Sequence, residues 1–204
     1  MRDLLLDRLP SVPHRRFLVY LMGPYKSFDL DDLVDDEVAV DELDVSIGEW
    51  IENEGAYSEQ DVLELLETVR DRLRDEGGLN AFLAIDIDIP LEEMDAATQT
   101  IEFAKASNVI VFVVPAIGKN LGVGIETGSV LEGLPVEEQD RIVFVHEETV
   151  RSAMIASLSR RWDVAVSRYS DEDELVKRIR EFAVDVMNRE TTGDLPTFDE
   201  GENT

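Results

Sequence analysis

The sequence contains no cysteine, which excludes disulfides, thiolate metal sites and cysteine nucleophiles. It contains no apolar run as long as a membrane span. Cations are scarce: 19 Lys and Arg stand against 46 Asp and Glu, for a net charge of −27. No basic stripe exists, so direct binding to a nucleic-acid backbone is disfavoured. The opening stretch MRDLLLDRLPSVPHRRF carries charges inside its one short apolar run and does not read as a signal peptide. There is no G-x-G-x-x-G and no P-loop lysine, which argues against a dinucleotide or ATP P-loop site. EF-hand spacing is also missing, so neither a metal nor a cofactor is expected. Together these absences lead to the expectation of a soluble cytoplasmic protein.

What is present is a well-supplied core under an acidic skin. Hydrophobic residues make up 44% of the chain, too many for a disordered acidic protein. At 204 residues one domain is expected. The composition resembles that of a salt-accumulating halophile, in which dense surface carboxylates hold water and cations while salt screens their repulsion. The alternative is a mesophilic protein with a basic partner.

The organising stretch runs from Asn108 to Leu134. Asn108 to Val114 is nearly all apolar and rich in β-branched residues, as suits a central strand covered on both faces. Pro115 ends it. Gly118, Gly122 and Gly124 follow, and a helix is predicted to start near Gly124 with Glu126 in its first turn. The helix dipole favours a charged carboxylate there. Elsewhere, Phe17–Met22 reads as a first strand that breaks at Gly23-Pro24, with Tyr25 just beyond. Residues 27–60 read as an acidic insertion, either a solvated surface elaboration or a lid over the site. Ser58 caps a predicted helix from about Glu59 to Glu76, stopped by Gly77-Gly78. Asn80–Ile87 reads as the second strand, trailed by Asp88. A helix over Leu91–Ser107 precedes the central strand. Arg141–His146 reads as a fourth strand, Val150–Arg161 as a helix and Asp163–Ser167 as a fifth strand. A last helix is capped by Ser170, and residues 190–204 read as a disordered acidic tail beyond a single domain over 1–189.

Five alternations of strand and helix predict a three-layer α/β fold with a parallel sheet ordered 2-1-3-4-5, flavodoxin-like or Rossmann-like. In that order the switch point lies between the first and third strands, so Gly23-Pro24-Tyr25 and the Gly122–Glu126 loop converge on one crevice. Gly122 and Gly124 would expose amides to a sugar or phosphate there, or simply allow tight strand–helix packing. Gly23, Pro24 and Tyr25 either shape a ligand pocket or form a plain turn. His146 ends the neighbouring strand, and Asp86 and Asp88 end the second.

Tyr20-Leu21-Met22-Gly23-Pro24 and Gly122-Val123-Gly124-Ile125-Glu126-Thr127-Gly128 resemble the two signature turns of the nucleoside 2-deoxyribosyltransferase-like superfamily. With its acidic composition the chain looks like a halophilic archaeal member. The resemblance implies N-glycosidic bond cleavage or transfer on a nucleoside or nucleotide, with Glu126 as nucleophile, and a homodimer or higher oligomer whose neighbouring subunits complete the pocket. Such chemistry passes through an oxocarbenium-like state and needs a proton for the departing base. Asp86 or Asp88 is the candidate donor. The pattern is broken at two places where the family often has acids: Thr100 on the helix before the third strand, and Asn120 before the glycine motif. The competing readings are therefore a non-catalytic nucleotide-binding module and an interaction protein that uses its acidic segments.

The charge imbalance makes one prediction independent of function. The melting temperature should climb as potassium chloride is raised to molar concentration, because screening relieves carboxylate repulsion. A flat or falling curve in a scanning calorimeter would contradict this.

Overall fold

The computed structural model describes residues 1–24, 59–116, 133–150 and 164–198. Its frame is a five-stranded sheet in the order β2-β1-β3-β4-β5. The strands are β1 (His14–Met22), β2 (Leu79–Phe82), β3 (Val109–Val114), β4 (Ile142–Glu147) and β5 (Ala165–Tyr169). All four pairings are parallel. Both the class and the strand order expected from the sequence are observed. Helices α1 (Arg2–Arg8), α2 (Glu59–Asp75), α3 (Ala96–Ala106) and α4 (Glu172–Thr192) cover the sheet.

Alternation along each strand sorts the core into two layers. Val19, Leu21, Val109, Val111, Val113, Val143 and Val145 face the α2 and α4 side, where Leu66, Leu73, Leu175 and Ile179 meet them. Leu18, Tyr20, Ile110, Phe112, Ile142 and Phe144 face α1 and α3, where they meet Leu5, Leu6 and Phe103. β3 is buried at all six positions, which is why its sequence shows no polar alternation. On the α3 side Phe112 and Phe144 stack across the β3–β4 pair with centroids 4.8 Å apart.

Several boundaries differ from the sequence reading, each for a local reason. β1 starts at His14, not Phe17, because the His14 amide donates to the Gly78 carbonyl at 2.8 Å. Gly78 turns the chain after α2 with φ of 64°, a conformation that a Cβ strains. β2 stops at Phe82, and a 3-10 turn over Ala84–Asp86 replaces the rest of the expected strand, so Asp86 does not end a strand. α3 begins at Ala96 rather than Leu91, with Asp95 as N-cap accepting from the Thr98 amide at 2.9 Å. The cap of α4 is Asp171, one residue past Ser170; it accepts from the Glu174 amide at 2.8 Å.

The expected tail is the largest departure. α4 runs on to Thr192 and ends at Gly193 with φ of 83°. Beyond it Leu195 is buried in the core, and the Phe198 ring packs against the guanidinium groups of Arg2 and Arg141, 4.3 and 4.9 Å from its centroid. Residues 190–198 are therefore part of the domain. The insertion expected at 27–60 lies outside the described residues except for 59 and 60, which belong to α2. Most of the helices expected at Val150–Arg161 and after Gly124 also lies outside the described residues.

A buried polar node fixes the amino end of β3. The Asn108 amide nitrogen donates to both Glu190 carboxylate oxygens at 2.9 and 3.2 Å, while its oxygen accepts from the Leu18 amide at 3.0 Å. Arg141, 2% exposed, donates to the Asn108 carbonyl at 3.1 Å and to Glu190 at 2.5 Å. A second Arg141 nitrogen donates to the Pro196 carbonyl. The node thus ties β1, β3, the approach to β4, α4 and the C-terminal segment together. Removing one partner of a buried pair strands the other charge, at a cost of about 3–5 kcal/mol. Glu190→Ala should therefore lower unfolding free energy by roughly that amount in urea titrations. A loss below about 1 kcal/mol, the range of a surface pair, would contradict the node's role.

Candidate ligand crevice at the switch point

β1 lies between β2 and β3, so the order of the sheet reverses between β1 and β3, which makes their carboxyl ends the switch point of the fold. Met22 pairs with Phe112 there, and Gly23-Pro24 and Pro115-Ala116 continue outward from adjacent strands. This is the switch point expected from the sequence. Gly23 is buried. A Cβ on it would stand 2.8 Å from a terminal methyl of fully buried Leu66 and 3.4 Å from the Val113 carbonyl. A side chain here would press on α2 through Leu66, and no left-handed turn is involved. Pro24 closes the described part of β1's exit. Tyr25, Asn120, Gly122, Gly124 and Glu126 lie outside the described residues.

His146, the penultimate residue of β4, pairs with Val114 and is 5% exposed. Its Nδ1 lies 2.9 Å from the Glu147 carbonyl oxygen. A carbonyl only accepts, so this contact requires a proton on Nδ1. The ring is thereby held at the carboxyl edge of the sheet.

The next residue, Glu147, carries a feature that the sequence reading missed. Its Oε2 accepts from the Ala116 amide at 2.9 Å, and its Oε1 from the Thr149 hydroxyl at 3.3 Å. A β4 carboxylate thus holds the first residues of the loop that leads from β3 toward Glu126. Its cross-strand neighbour Tyr169 is buried, and the phenol oxygen has no hydrogen-bond partner among the described residues. Burial, followed by the charge of Glu147, pushes the Tyr169 phenol well above the usual tyrosine range, so it keeps its proton. The sequence signal was available: an acid two residues past the last apolar residue of a central strand, and a tyrosine closing the next one.

The two candidate proton donors fare differently. Asp86 sits against α2, where Arg70 donates to its Oδ1 at 2.5 Å and Arg74 to its Oδ2 at 3.2 Å. The Leu83 amide also donates to Oδ2 at 3.0 Å. Both oxygens already accept from guanidinium donors, and the side chain is only 16% exposed. This arrangement anchors the outer edge of the sheet to α2, with Arg74 also bonded to the Ala81 carbonyl at 2.8 Å. Burial lowers the Arg74 guanidinium pKa from its ordinary value, although the nearby Asp86 charge opposes the shift. Asp88 is exposed, and its backbone carbonyl accepts from Arg8.

On α3, Thr100 is 9% exposed and Gln99 8%. The Gln99 amide nitrogen bonds the Ile89 and Met94 carbonyls at 3.1 and 2.7 Å, bracing the loop before the helix. Among the described residues no group of three or more His, Asp or Glu is arranged to hold a metal ion. No described helix is long and apolar enough to cross a membrane.

If Asp86 is an anchor, Asp86→Asn should cost about 2–4 kcal/mol in chemical denaturation, because two partly buried guanidinium groups lose their counter-charge. A stability within about 0.5 kcal/mol of wild type would instead mark a solvated carboxylate.

Comparison with known proteins places the sequence in context. A search of curated proteins returns no match. One solved structure similar to this chain is the metal-soaked Flv1 flavodiiron core from Synechocystis sp. PCC6803, at 12% identity and a TM-score of 0.46. The similarity covers 90% of this chain but 38% of that longer one. The family model described as domain of unknown function DUF7509 matches residues 2–199, nearly the whole chain, and the protein belongs to that family.

Proposed function

We propose that the switch-point crevice binds a nucleoside or nucleotide and that Glu126 cleaves or transfers its N-glycosidic bond. The observation that carries this reading is the sheet order, which brings the exits of β1 and β3 side by side. In the sequence, one motif of the deoxyribosyltransferase-like pattern closes β1 and the other follows β3. In the proposed reaction a Glu126 carboxylate oxygen attacks the anomeric carbon. The C–N bond breaks, its electrons leave with the base, and the base takes up a proton. The resulting glycosyl ester is opened by water or by a second base, which releases Glu126. Asp86, with both oxygens accepting from guanidinium groups, is a poor source of that proton. Exposed Asp88 is the remaining candidate for that role, since burial raises the Tyr169 phenol pKa and makes it a reluctant donor.

A second reading, a nucleotide-binding or sensing module without turnover, is favoured by Thr100. A buried hydroxyl stands where the pattern expects a carboxylate, and its neighbour Gln99 is used for bracing the fold.

Incubation in concentrated potassium chloride with deoxynucleosides and their monophosphates separates the two. The enzyme reading predicts release of free base, falling at least about 10³-fold in Glu126→Gln. Calorimetric binding with no base released would favour the second reading, and an equal rate in Glu126→Gln would remove Glu126 from the mechanism.

A further inference from the structure

The two edges of the sheet are finished differently. β2 closes one edge, and all four of its residues are buried. β5 closes the other, yet Ala165, Val166 and Arg168 are exposed, Val166 at 37%. Edge strands that stay unpaired are commonly blunted by proline, by a bulge or by several charges. β5 has no proline, its register against β4 is unbroken from Ala165 to Tyr169, and Arg168 is its one charge. A strand paired on one side keeps amides and carbonyls for the other, so this edge can take a further strand.

Beside this edge lies a cavity of about 550 Å³ between β5 and α4. Alternation turns Ala165 and Ser167 to the same side as Tyr169, which packs in the α4 layer of the core. Both side chains are small and leave room beside the helix. On α4 the stripe Arg178, Phe182, Asp185 and Arg189 lines that room, at the spacing of one helix face. Its charges cancel. Asp140, Glu181 and Asp185 line the cavity against Arg178 and Arg189, and Arg168 on β5 makes the count three against three. Arg189 is paired with Asp140, and Arg178 with Glu181 at 3.3 Å. Glu174 and Lys177, which join Arg178 and Glu181 from outside the lining, offset one another. In a chain of net charge −27 a second copy is repelled wherever acids dominate both facing surfaces, and here they do not. The same balance leaves no excess of carboxylates to draw a basic partner.

We propose that β5 and the α4 stripe form the interface of a two-fold homodimer, in which β5 pairs antiparallel with the β5 of a second copy. Two-fold symmetry makes such a pair self-complementary: each strand supplies the donors and acceptors that the other needs, and residues of each copy fill the cavity of the other. The two five-stranded sheets then join edge to edge. β4 separates β5 from β3, so the second copy stands away from the switch point, and the dimer holds whether or not Glu126 is catalytic.

Sedimentation velocity of the full chain in concentrated potassium chloride, over a series of protein concentrations, tests this. A species of twice the chain mass is expected at about 10 μM and above. Val166→Glu sets like charges against each other at the joined edges and should weaken the dimer about tenfold or more. Val184→Glu, at an exposed α4 position outside the cavity lining, should leave it unchanged. The chain has no cysteine, so Ser167→Cys supplies a single thiol, which antiparallel pairing brings close to its counterpart. A short bismaleimide should link two copies of that variant, a readout that needs no disruption of the edge. A monomer at every concentration would overturn the proposal. So would a dimer that Val166→Glu leaves intact, one that Val184→Glu breaks, or one in which Ser167→Cys is never cross-linked.

Discussion

Everything in this fold depends on burying β3 on both faces. Its six apolar residues have no solvent side, so every backbone group must be paired with β1 or β4 and both faces must be covered by helices. A parallel sheet with helices on both faces meets that condition. It also leaves the two ends of β3 as the places where polar chemistry meets the centre of the molecule.

The two ends solve that problem differently. At the amino end Asn108, Arg141 and Glu190 satisfy one another inside the protein, and Phe198 covers the guanidinium groups. A buried node of this sort is a static structure: its groups are costly to unpair, so it resists opening. At the carboxyl end Pro115 stops the ladder, Glu147 holds the Ala116 amide, and the chain departs toward the glycine-rich loop. Polar groups there are held at the edge of the sheet rather than locked within it, which is what a ligand site requires.

The sequence made the frame legible where the signal is local. The Asn108–Val114 run, the Gly23-Pro24 break and the Gly77-Gly78 stop each report a backbone requirement through neighbouring residues, and strand order followed from their alternation. The polar contacts were not legible, because their partners are distant in the chain. Asn108 and Glu190 are separated by 82 positions and Arg141 and Asn108 by 33, and nothing in either neighbourhood announces the other. Asp86 looked like a strand-end acid because the turn that carries it to Arg70 and Arg74 interrupts an apolar stretch. The tail looked disordered because its composition is acidic and aperiodic, yet Leu195 and Phe198 anchor it through single contacts that periodicity does not detect. Glu147 and Tyr169 escaped notice because each is unremarkable alone and acquires meaning only across the β4–β5 pair.

The division of β3 into a locked end and a responsive end is tested most directly by native-state hydrogen exchange, with and without a free deoxynucleoside, which carries no phosphate. The account predicts that amides at Leu18, Asn108 and Ile142 exchange only through global unfolding in both conditions, while those at Ala116, His146 and Glu147 slow when the nucleoside is added. Slowing confined to the Asn108 end, or local opening there that leaves the carboxyl edge protected, would contradict it.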